Sequence, residues 1–69
     1  MNDQPALAAF KVGDVVRILN SAYEKVRIAE DRGLLGPQGA RIYRVRVQKR
    51  PHLAYIEVRE DQLERVAAG

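Results

Sequence analysis

Basic or polar and apolar side chains alternate from Tyr43 to Gln48. Tyr43, Val45 and Val47 fall on one face of an extended chain, and Arg44 and Arg46 fall on the other beside Ile42. A second alternating run, Leu53–Val58, separates Ala54, Ile56 and Val58 from Leu53, Tyr55 and Glu57. Between the two runs lies Lys49-Arg50-Pro51-His52, where Pro51 lacks the N–H that a ladder needs. The pattern predicts an antiparallel hairpin with a basic tip. Upstream, Asp14–Leu19 alternates Val15, Arg17 and Leu19 with Val16 and Ile18, so both faces carry apolar residues, as in a strand curled into a small barrel. Downstream, Arg59–Gln62 reads as one tight turn before a last short strand, Leu63–Val66.

Residues 20–32 admit two readings. Ser21 can cap a helix carrying Ala22, Tyr23, Val26 and Ala29 on one stripe, with Glu24 completing a capping box. Such a helix is short and marginal in isolation. The favoured alternative is a long loop with a short strand, Lys25–Ala29, that turns Val26 and Ile28 inward. Gly33-Leu34-Leu35-Gly36-Pro37-Gln38-Gly39 is a turn. Its glycines match neither the dinucleotide nor the P-loop fingerprint, and no helical pattern follows to hold a phosphate. Residues 1–9 read as a loose tail, 10–66 as one domain and 67–69 as a frayed end. The expected fold class is all-β: a small barrel of about five short antiparallel strands with one long loop.

Composition narrows the function classes. Charged residues make up 30% of the chain, and no apolar run approaches the roughly 18 residues of a membrane span. The start, MNDQPALAAF, lacks the basic and apolar regions of a signal peptide, so the expectation is a cytoplasmic protein that meets no membrane. Cysteine is absent, which removes disulfides and thiolate metal ligation. With one Ser (Ser21), one His (His52) and no Thr or Cys, a nucleophilic triad has little to draw on. The adjacent pairs Glu30-Asp31 and Glu60-Asp61 diverge from one another along the backbone. No catalytic residue, metal site or cofactor is expected, and the reading is of a protein without enzymatic activity.

Charge is unevenly placed. The chain sums to +3, while residues 41–50 alone carry five cations and no acid, so the remainder sums to −2. The segment Glu57–Arg65 sets four acids against two arginines. Three readings follow. In the first, Arg41, Arg44, Arg46, Lys49 and Arg50 neutralise RNA or DNA phosphates, with Tyr43 or Tyr55 available for stacking if either is exposed and Tyr23 in the 20–32 loop the best candidate for an exposed contact aromatic. In the second, the same patch docks an acidic protein partner or the acidic segment of another copy, with Leu34 and Leu35 as an apolar centre. In the third, Arg44 or Arg46 pairs internally with Glu57 across the hairpin.

The order of these pieces resembles the SH3-like barrel superfamily in its bacterial forms. Phe10-Lys11-Val12-Gly13-Asp14-Val15-Val16-Arg17-Ile18 is similar to the first strand of such domains, with its Gly-Asp followed by spaced valines. Glu60-Asp61-Gln62-Leu63-Glu64-Arg65-Val66 is similar to their closing turn and strand. Arg32-Gly33-Leu34-Leu35-Gly36 followed by Ile42–Val47 loosely resembles the glycine-containing strand of KOW-type ribosomal and transcription proteins, although the Gly36–Ala40 spacing is bulkier. Photosystem I subunit IV and the variable subunit of ferredoxin–thioredoxin reductase share the outline. The resemblance implies a binding module, or an accessory subunit docked on a larger complex. The absence of Trp argues against polyproline recognition.

Overall fold

A computed structural model describes residues 7–49 and 51–66. The fold is all-β, as the alternation predicts. Five strands, β1 (Val15–Ile18), β2 (Val26–Gly33), β3 (Ile42–Lys49), β4 (His52–Arg59) and β5 (Leu63–Arg65), form one open antiparallel sheet ordered β4-β3-β2-β1-β5. Single turns of 3-10 helix at Pro37–Gly39 and Glu60–Gln62 occupy the two predicted turns. Among the described residues no helix is long and apolar enough to cross a membrane. The β3–β4 hairpin pairs without interruption from Ile42 opposite Arg59 to Lys49 opposite His52.

Segment 20–32 is a turn followed by a long strand, and the helical alternative does not form. Ser21 caps no helix. Its Oγ donates to the Ile18 carbonyl at 2.7 Å and accepts the Tyr23 N–H at 3.0 Å, while Asn20 adopts a left-handed φ of 58°. The serine thereby builds the tight β1–β2 turn through local bonds that compete with a helix. Strand β2 extends four residues beyond the predicted Ala29, through the polar run Glu30-Asp31-Arg32. Two register shifts, at Ile28/Glu30 and Asp31/Gly33, let it follow β3. Beyond Gly33 the chain closes a compact loop in which Gly36 N–H donates to the Ala40 carbonyl at 2.9 Å.

The core comprises Phe10, Val16, Val26, Ile28, Tyr43, Val45, Val47 and Leu63, with Ile18, Tyr23, Ala54 and Val58 packed against it. The side of β3 predicted to face inward does so. Phe10 meets Tyr43 edge-on, with ring centroids 5.5 Å apart. The opposite side of β3 is the outer face of the sheet, and the remaining charge chemistry is laid out there.

Candidate functional site

Cross-strand registers arrange the outer face in rows. Tyr55 of β4 stands opposite Arg46 of β3, Arg46 opposite Arg27 of β2, and Arg27 opposite Val15 of β1. One step toward the other end of the sheet, Glu57 faces Arg44, which faces Glu30. These two rows behave differently.

The second row is neutralised. Arg44 reaches Glu57 at 3.2 Å and Glu30 at 3.7 Å, and Arg32 reaches the same two carboxylates at 3.4 and 3.3 Å. Arg41 lies against Asp31, its Nη1 within 2.9 Å of both carboxylate oxygens, with only 15% of its side chain exposed. Arg17 meets Glu64 and Glu24, Arg59 meets Asp61, and Arg65 meets Asp14. The internal pairing expected across the hairpin therefore exists at Arg44. Such exposed pairs contribute about 0–1 kcal/mol each.

The first row is not neutralised. Among the described residues, Arg27 and Arg46 have no carboxylate partner, although they sit in register on adjacent strands. Like charges directly opposite one another destabilise a sheet. Arg27 is steadied through Nη1, which donates to the Gly13 carbonyl at 3.0 Å. Two hollows flank this arginine ridge. The smaller, about 280 Å³, is lined by Arg27, Arg46, Val12, Gly13, Ala29 and Tyr55, together with Ile28. The larger, about 650 Å³, is lined by the cations Lys25, Arg27, Arg46 and Arg65, with Gln48, Leu53 and Asp14 also lining it. The Asp14 carboxyl is held below its usual range, first by the Lys11 backbone N–H and then by Arg65, so it stays anionic and bound to Arg65.

The structure divides the predicted cationic set. Arg46 is exposed and lines both hollows. Arg44 shares the outer face but is spoken for by glutamates. Arg41 is folded onto Asp31. Lys49 is exposed, but strand alternation puts it on the side of Val45 and Val47, away from Arg46. Arg50 lies outside the described residues. Tyr23, expected to be an exposed aromatic, is half-buried against the core. Tyr55 is the exposed aromatic instead, with 54% of its surface in solvent. Leu34 and Leu35 are 46% and 70% exposed. At about 3.3 Å per residue, the end of β2 beside them lies on the order of 20 Å from Arg27.

Sequence reasoning missed Arg27 and Lys25. The signal was present in Lys25-Val26-Arg27-Ile28, a basic–apolar alternation like that of β3, but their proximity to Arg46 depends on a register that only the fold reveals. Among the described residues no three His, Asp or Glu side chains gather as a metal cage. Ser21 is engaged in its turn, at the end of the sheet where β1 hands over to β2, while His52 sits exposed at the start of β4. No protein-family model, curated protein or solved structure matches this chain.

Proposed function

We propose that this protein is a non-catalytic binding module that contacts the phosphate backbone of RNA or DNA through Arg27, Arg46 and Lys25. The observation that carries the proposal is the in-register Arg27–Arg46 pair, kept without a carboxylate on a surface where neighbouring arginines are matched. An unbalanced cationic row costs folding stability and supplies the phosphate contacts that dominate nucleic-acid affinity. The arginines also offer planar, multiply donating groups suited to phosphate oxygens. Membership of the SH3-like superfamily is proposed with it, on the sequence resemblance and on a strand order that brings β5 back to β1. Fold outline alone assigns no ligand.

The test is amide chemical-shift mapping during titration with a short oligonucleotide. The proposal predicts perturbations centred on residues 25–28, 46–48 and 53–55. Shifts confined to the Arg41–Arg44 region, or none, would contradict it. A second reading, docking of an acidic protein partner or of another copy, draws on the exposure of Leu34 and Leu35. That reading predicts concentration-dependent shifts at the 33–40 loop without added nucleic acid.

A further inference from the structure

We infer that the preferred ligand is single-stranded nucleic acid, one base lying on Tyr55 in the smaller hollow and the adjoining phosphate resting on the Arg27–Arg46 ridge. This deepens the phosphate-binding reading and rests on it. Three observations carry the inference.

First, Tyr55 is the exposed aromatic residue of the chain, since Phe10 and Tyr43 are buried and Tyr23 packs on the core. It is the direct cross-strand neighbour of Arg46, so a flat apolar surface and an unmatched cation stand side by side. Every base has a π-face, but a base inside a duplex has already spent it on its neighbours. An exposed ring is therefore useful to unpaired nucleotides and of little use to a double helix.

Second, the cations form a ridge between two hollows rather than a broad plateau. Arg27 and Arg46 line both hollows, with Tyr55 and Val12 bordering the smaller and Leu53, Gln48 and Lys25 the larger. A single strand alternates flat bases with anionic links, and this surface offers matching elements in order: an aromatic hollow, a cationic ridge, then a larger hollow in which Leu53 and Gln48 stand beside Lys25 and Arg65. Gln48 can donate to and accept from a base edge.

Third, Gly13 borders both hollows with a left-handed φ of +97°, and a Cβ built on it meets no atom within 4 Å. The backbone there is bare beside the ridge, and its carbonyl fixes the Arg27 guanidinium. The two hollows thus adjoin each other past Gly13, leaving room for a continuous chain.

The experiment is fluorescence anisotropy with a short mixed-sequence single strand, its duplex, and the same single strand carrying abasic sites. Wild-type protein is compared with Tyr55→Phe and Tyr55→Thr, the threonine keeping strand propensity. The expected result is a preference for the intact single strand over duplex and abasic strand. Tyr55→Thr loses roughly 5- to 150-fold on the intact strand and almost nothing on the duplex, while Tyr55→Phe binds like wild type. Equal affinity of Tyr55→Thr and wild type for the single strand, or a wild-type preference for duplex, overturns the inference. If all three ligands bind alike and Arg46→Glu weakens all alike, the phosphate-binding reading stands and this one falls. If wild type binds none of them, both fall.

Discussion

The buried Tyr43 hydroxyl donates to Glu60 Oε2 at 2.7 Å and accepts the Phe10 N–H at 3.1 Å, and the same carboxylate oxygen accepts the Ala9 N–H at 2.9 Å. One phenol therefore joins the start of β3 to the segment entering β1 and to the turn entering β5. In a sheet where the edge strand β5 pairs only with β1, this junction fastens both ends of the domain to its middle.

Replacing Tyr43 with Phe leaves the Phe10 N–H buried without its acceptor, and a loss of about 1–3 kcal/mol is expected in urea denaturation. Burial first, and the Glu60 hydrogen bond second, hold the phenol pKa above 10.0. The neutral phenol is thus the form favoured by folding. Its contribution is fully present below pH 10 and is lost as pH rises through the raised value. The stability gap between wild type and Tyr43→Phe should narrow above pH 10, and an unchanged gap there would be contrary.

Arg44 and Arg46 occupy the same face two residues apart, yet their removal should act oppositely on the fold. Arg44→Ala breaks the contacts with Glu57 and Glu30 and should cost up to about 1 kcal/mol. Arg46→Ala should leave stability unchanged or slightly raised, because it relieves Arg27. Chemical denaturation of the two variants side by side decides this.

Acid should act in part through Asp14. Its depressed pKa means that the carboxylate form, bonded to the Lys11 N–H and Arg65, is the one folding favours. That contribution is present above the ordinary value of 3.8 and disappears as pH falls through the lowered one. Asp14→Asn should therefore be less stable than wild type at neutral pH and approach it at strongly acid pH. A constant difference across the acid range would argue against the assignment.

At Gly36 the limit is space. An added Cβ would lie 2.7 Å from Ile42 Cδ1, 3.0 Å from the Ala40 carbonyl oxygen and 3.1 Å from the Ala40 Cβ. The isoleucine tip can rotate away, but the carbonyl is held by the Gly36 N–H itself. Gly36→Ala should cost about 1–3 kcal/mol, read as a lowered thermal midpoint.

The hairpin was legible because period-2 alternation in Arg41–Val58 is a local property, and the same residues that alternate on paper fill or leave the core. Strand β2 was legible only in its first half. Its continuation through Glu30-Asp31-Arg32 looks like loop in isolation, since those charges find their partners, Arg44, Arg41 and Glu57, well away along the chain. The candidate site shows the same limit. A run of five cations is visible in the sequence, but whether each is matched depends on acids delivered by other strands. Register removed Arg41 and Arg44 from the free set and added Arg27 beside Arg46, and of the tyrosines weighed for stacking it left Tyr55, rather than Tyr23 or Tyr43, as the accessible ring.

On the proposed function, the unmatched Arg27–Arg46 row, and not the basic hairpin as a whole, binds nucleic-acid phosphate. The most direct measurement is a fluorescence-anisotropy titration of wild type, Arg27→Glu with Arg46→Glu, and Arg44→Glu with a short oligonucleotide, at about 50 and 200 mM salt. The account predicts wild-type binding that weakens steeply with salt, near-complete loss in the double variant with its fold intact, and only a modest loss in Arg44→Glu. Binding by the double variant equal to wild type, or absence of wild-type binding at the lower salt, would contradict it.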